Sequence, residues 1–176
     1  MIIGLTGYAG SGKTTAAKHL AEAHGFLQVK FAGPLKAMVR CLGLGDAEIE
    51  GNLKESPSAI LGGRTPRHAM QTLGSEWGRD LIHPNLWVNA AMAVVDDVLD
   101  HGGRVVIDDL RFQNEAEAIK SRGGIIIRIE RPGVGPVNGH ESESNPIPHD
   151  WAIQNTVGVN HLRLSINHIL IKESAL

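Results

Sequence analysis

The chain has 176 residues, room for one well-packed domain and too few for two full-sized ones. With 42% apolar residues, 20% charged residues and a formal net charge of -2, it has an ordinary globular composition without the overall basic footprint of a nucleic-acid binder. The single Cys41 excludes an internal disulfide framework and a four-thiolate zinc site, and no apolar run is long enough for a signal peptide or a bilayer span. A cytoplasmic protein without membrane association is therefore expected.

Apolar and amphipathic runs alternate along the chain, the pattern of strands and helices around a mostly parallel sheet. Ile2 to Thr6 predicts a buried strand, and Lys13 to His24 a helix with Ala16, Ala17, Leu20 and Ala23 on one face, closed by Gly25. Leu27 to Phe31 predicts a second strand, and Pro34 to Leu42 a helix with proline in its first turn. Residues 43–64 mix Gly, Asp, Glu, Ser and Pro and predict a loop with at most a short helix. Thr65-Pro66 marks a helix start whose apolar face would be Ala69, Met70, Leu73, Trp77 and Leu81. His83-Pro84 interrupts it before another helix carrying Trp87, Ala91, Val94, Val95 and Val98. Arg104 to Asp109 and Gly124 to Ile129 predict buried strands around a helix from Asn114 to Arg122. Residues 131–150 predict a loop excursion, followed by a strand at Trp151 to Gln154 and a helix with Leu162, Ile166, Ile169 and Leu170.

The most specific stretch is GYAGSGKTT, Gly7 to Thr15, which fits G-x-x-x-x-G-K-[ST] between a strand and a helix. Gly7, Gly10, Ser11, Gly12, Lys13, Thr14 and Thr15 are then the phosphate-binding residues of a nucleoside triphosphate. Glycines let backbone N–H groups turn inward, Lys13 reaches the β and γ phosphates, and the Thr14 hydroxyl serves Mg²⁺. VVIDDLRF supplies the second metal ligand, because Asp108 and Asp109 fall at the C-terminal end of a strand, the edge where open α/β sheets bind ligands. Arg111 follows closely enough to meet a phosphate, with a solvated surface arginine as the competing account. In QTLGSEWGRD, Gln71, Ser75 and Arg79 are four residues apart and form a polar stripe opposite Leu73 and Trp77. Two glycines in that helix need a reason, since each costs about 1 kcal/mol relative to alanine.

GSGKTT, FAGPLK, MQTLGSEWGRDLIHPNLWV, DDLRFQNEAEAI, the GG-to-RPG segment and HESE occur in this order over nearly the whole chain. Together they resemble the phage-type deoxynucleoside monophosphate kinases of the adenylate kinase-like P-loop group. The resemblance implies a three-layer α/β/α P-loop NTPase fold with a central, mostly parallel five-stranded sheet. It implies a single kinase domain over 1–176 with an acceptor-binding helical insertion at about 43–101 and a lid-like segment at about 131–150. ATP and Mg²⁺ would be the cofactors, a nucleotide the partner, and a homodimer a candidate assembly. Arg67, Gln71, Arg79, Trp87 and Arg111 would lie near the acceptor, and Arg131 and His140 would belong to the lid-like segment, Arg131 approaching the transferred phosphate. Two positions depart from the family's pattern: its Asp after the loop lysine is Thr14 here, and its Asp in the FADPLK segment is Gly33.

The first expected function is ATP-dependent phosphorylation of a deoxynucleoside monophosphate to the diphosphate. An alternative keeps the kinase and moves the acceptor to a hydroxymethyl group on a modified pyrimidine in phage DNA, with Lys30, Lys36, Arg40, Arg64 and Arg67 as a local basic track. A nucleotide-binding switch or assembly ATPase is the third reading.

Overall fold

The computed structural model describes residues 1–135 and 147–175. Its backbone divides into two compact units, Met1–Lys30 with Val94–Leu176, and Phe31–Ala93. Each is described by itself.

The first unit is built on a five-stranded sheet in the order β2-β3-β1-β4-β5, every pairing parallel. The strands are β1 (Ile2–Thr6), β2 (Leu27–Val29), β3 (Val105–Ile107), β4 (Ile125–Glu130) and β5 (Trp151–Gln154). The three central strands β3, β1 and β4 read VVI, IIGLT and IIIRIE, apolar apart from Thr6 and from Arg128 and Glu130 at the end of β4, as strands covered on both faces require. On one face Ile3, Leu5, Val106, Ile127, Ile129 and Ile153 pack with Ala16, Ala17 and Leu20 of α1 (Lys13–His24) and with Leu162, Ile166, Ile169 and Leu170 of α7 (Val159–Glu173). All four predicted core positions of α7 are buried. On the other face Gly4 leaves room for Leu110 and for Ile119 of α6 (Gln113–Lys120), which a Cβ at Gly4 would strike. Beside α6, Arg122 clamps Asp96 with hydrogen bonds of 2.6 and 2.8 Å, which hold that carboxyl below its ordinary pKa. The result is three layers, helices on both sides of a parallel sheet, as the sequence predicts.

β1 is the pivot. The chain leaves it through α1 to the outer strand β2, returns to β3 beside β1, and then crosses to β4 on the opposite side. Connections departing to both sides open a crevice at the C-terminal strand ends, where the GYAGSGKTT loop sits.

The second unit contains α2 (Gly33–Cys41), α3 (Asp46–Ile49), α4 (Pro66–Thr72), a π-helix (Leu73–Ile82) and the first residues of α5 (Leu86–Asp100). Val39, Leu44 and Ile49 form its small core with Leu61, Met70 and Leu73 against them. Thr65 caps α4 as predicted, its hydroxyl accepting from the His68 N–H at 3.1 Å. The single α-helix expected through Gln71 to Asp80 is not what forms: α4 stops at Thr72 and the chain continues with i→i+5 bonding.

That change corrects the predicted apolar stripe. Trp77 and Leu81 are 37% and 76% exposed, and the buried residue of the π-helix is Gly78. A wider turn carries residues eight apart far from where the α repeat would set them, so the stripe winds off the packed side. Trp87 of α5 touches both glycines and explains Gly78. Its indole N–H donates to the Gly74 carbonyl at 2.8 Å, and its ring lies where a Gly78 Cβ would stand, 2.5 Å from the nearest ring carbon. Gly78→Ala is therefore expected to destabilise by about 1–3 kcal/mol through overpacking, more than the ~1 kcal/mol that alanine adds to a helix. At Gly74 a Cβ would meet only Leu35 at 3.3 Å, so Gly74→Ala is the milder change. Urea unfolding of both variants checks this, and a Gly78→Ala protein as stable as the parent would refute the Trp87 account.

Candidate active site

The loop expected to hold the donor phosphates lies in the first unit. Gly7, Gly10 and Gly12 have φ of 135°, 81° and 117°, values that favour glycine, and a Cβ at Gly7 would land on the Ile129 carbonyl at the end of β4. Lys13 opens α1, and its ammonium donates to the Gly7 and Tyr8 carbonyls at 2.5 and 2.8 Å. The cation is thus held over its own loop. The first turn of α1 carries neither an acidic side chain nor a side-chain cap, so its N–H groups and partial positive charge face the loop unopposed. Thr14 is exposed, Thr15 half-buried and Ser11 buried.

β3 delivers the acid. Asp108 is 4% exposed, its Oδ1 accepts no hydrogen bond, and Lys30 at the end of β2 places its ammonium 3.7 Å from that oxygen. Lys30 faces that oxygen without hydrogen-bonding it, and a buried carboxylate oxygen with a free lone pair fits Mg²⁺, which takes one or two carboxylates and substrate phosphates. Among the described residues no group of three His, Cys, Asp or Glu side chains is gathered as a self-sufficient metal cage. Asp109 is half-buried and Arg111 exposed. The turn carrying them is fixed by Glu115, 2% exposed, whose carboxylate accepts from the N–H of Arg111 at 2.8 Å and of Phe112 at 3.1 Å. The only sequence signal for Glu115 is a Glu at the third helical position.

The ends of β4 and β5 supply residues that pattern reading missed. Arg128 lies 5.9 Å from the centre of the Tyr8 ring and donates to Glu130 at 2.7 Å. That bond, with a second from Gln154, keeps the Glu130 carboxyl below its ordinary pKa despite burial. Arg131, predicted to approach the transferred phosphate, reaches the loop, its guanidinium 3.4 Å from the Gly10 carbonyl. Asn155, just past β5, donates its amide N–H to the Ser11 carbonyl at 2.8 Å.

The other predicted acceptor residues belong to the second unit. Gln71 is exposed, Arg79 half-buried, and Arg67 is exposed and paired with Glu55. Trp87 is buried and bonds within the unit, so it supports the π-helix that carries Arg79 rather than offering its N–H outward. His140 lies outside the described residues.

No helix among the described residues is long and apolar enough to cross a membrane. Residues 58–166 match the family described as deoxynucleotide monophosphate kinase. A protein of Acanthamoeba polyphaga mimivirus that carries the provisional name deoxynucleotide monophosphate kinase is 39% identical over 155 residues, 81% of this chain and 80% of that one. The deoxynucleoside-5'-monophosphate kinase of Escherichia phage T5 is 29% identical over 114 residues, 58% of this chain and 44% of that one. The shikimate kinase of Aquifex aeolicus superposes with a TM-score of 0.56 at 13% identity, covering 99% of this chain and 98% of that one, a likeness of fold alone. With the P-loop and its buried acid in place, the match over most of the chain decides the family: the protein belongs to the deoxynucleotide monophosphate kinases.

Proposed function

We propose that the protein transfers the γ-phosphoryl group of ATP to the phosphate of a deoxynucleoside monophosphate, giving ADP and the deoxynucleoside diphosphate. The observation that carries this reading is the pairing of the GYAGSGKTT loop with a buried, incompletely bonded Asp108 on the neighbouring strand, in a chain of this family. An oxygen of the acceptor phosphate attacks the γ-phosphorus while the bond to the β-phosphate oxygen breaks. That nucleophile is largely ionised at neutral pH, so no general base is needed. Loop N–H groups and Lys13 hold the β and γ phosphates and oppose the charge they carry. Thr14 and Asp108 are the residues to hold Mg²⁺, with Asp109 behind them; when bound, the ion neutralises phosphate charge. Arg131 and Arg111 attend the phosphoryl group, and Gln71 and Arg79 of the second unit, with Arg67 beside them, take the acceptor nucleotide.

The test is incubation with γ-labelled ATP and Mg²⁺ against each of the four deoxynucleoside monophosphates, and separately against plain and hydroxymethyl-bearing DNA. Label in a nucleoside diphosphate is the expected result. Label retained in polymer would transfer the acceptor to a DNA hydroxyl, and free phosphate alone would remove the kinase reading.

A further inference from the structure

The P-loop is steered by a residue far from it in sequence. Asn155 follows β5, and its own N–H is anchored to the Glu130 carbonyl at 2.7 Å, so its side chain springs from a fixed point. The amide Nδ2 donates to the Ser11 carbonyl at 2.8 Å and lies 2.7 Å from where a Gly12 Cβ would stand. Its Oδ1 is buried without a donor. The reverse orientation of the amide would set oxygen against oxygen, so the side chain acts here as a donor.

The Ser11 carbonyl and the Gly12 N–H belong to one planar trans peptide and point in opposite directions. Holding the oxygen therefore aims the hydrogen. The Ser11 N–H is already taken by the Tyr8 carbonyl at 3.1 Å, whereas the Gly12 N–H meets no acceptor among the described residues. Gly12, at φ 117°, gives that peptide an orientation that other residues rarely adopt and leaves space for the Asn155 amide.

We propose that Asn155 is a positioning residue for the donor phosphates: it clamps the Ser11–Gly12 peptide so that the Gly12 N–H faces the phosphates of the triphosphate. The inference rests on the donor reading given above. It makes phosphate binding depend on the β5–α7 junction as well as on the loop itself.

Asn155→Ala removes the donor, and Asn155→Asp keeps the shape while replacing the donor with an acceptor. Binding of ATP and of adenosine is measured for the parent and both variants by equilibrium dialysis, alongside melting temperature without nucleotide. Loss of one hydrogen bond predicts about tenfold weaker ATP binding in Asn155→Ala and a larger loss in Asn155→Asp, with adenosine binding unchanged. Equal losses for ATP and adenosine, unchanged ATP binding in both variants, or weakening in Asn155→Asp alone would each overturn the clamp. A parent protein that fails to bind ATP would overturn the donor reading itself, a separate result.

Discussion

Lys13→Ala is expected to slow phosphoryl transfer on the order of a thousandfold at saturating ATP, while the protein stays folded. The ammonium is held above the loop by the Gly7 and Tyr8 carbonyls, at 2.5 and 2.8 Å, and can exchange those contacts for phosphate oxygens without moving the helix that bears it. Its charge acts on oxygens whose negative charge shifts during transfer, where removal of a single preorganised group typically costs about a hundred- to a thousandfold. α1 is anchored through Ala16, Ala17 and Leu20, none of which touches the change, so far-ultraviolet circular dichroism should be unaltered. Initial rates with γ-labelled ATP decide it, and turnover within tenfold of the parent would refute the donor site.

Asp108→Asn is the second large effect expected, about a hundredfold in rate, with the Mg²⁺ concentration needed for half-maximal turnover moved upward. The two side chains have the same shape, so the substitution isolates the charge. Asp109→Asn serves as the comparison, since Asp109 is half-buried whereas Asp108 is 4% exposed and presents an oxygen without a hydrogen bond. Magnesium titrations at fixed ATP on both variants separate them. A more severe defect in Asp109→Asn would exchange their roles.

The parallel sheet was legible in the sequence because strands covered on both faces are apolar in continuous runs, as IIGLT and the first residues of IIIRIE are, with glycines beside them and helical patterns between. The GYAGSGKTT turn was legible because its backbone dictates its glycines, and Gly7, Gly10 and Gly12 all hold positive φ. Composition around 71–82 carries no comparable signal for the helix type. MQTLGSEWGRDLI satisfies an α repeat on paper, and the contacts that Trp87 makes with Gly74 and Gly78 are not encoded in local periodicity. The same holds for Asn155, Arg128 and Lys30. Each is an ordinary polar residue beside a strand end, and only the strand order brings it to Ser11, Tyr8 or Asp108. Glu115 was hidden for a related reason, since a buried acid whose acceptors face backbone N–H groups looks in sequence like any surface glutamate.

The strand order also bears on how the protein comes into being. In the central strand Ile2 pairs with Val105 and Ile3 with Ile125, and Gly7 is shaped against the Ile129 carbonyl. The strand that leads into the glycine-rich loop is thus synthesised before either of its neighbours, the nearer of which begins only at Val105. Contacts so distant in sequence carry a high loop-closure cost and slow folding. A synthesis halted before the third strand leaves the apolar first strand without either partner, and one halted before the fourth leaves Gly7 without the Ile129 carbonyl it is shaped against.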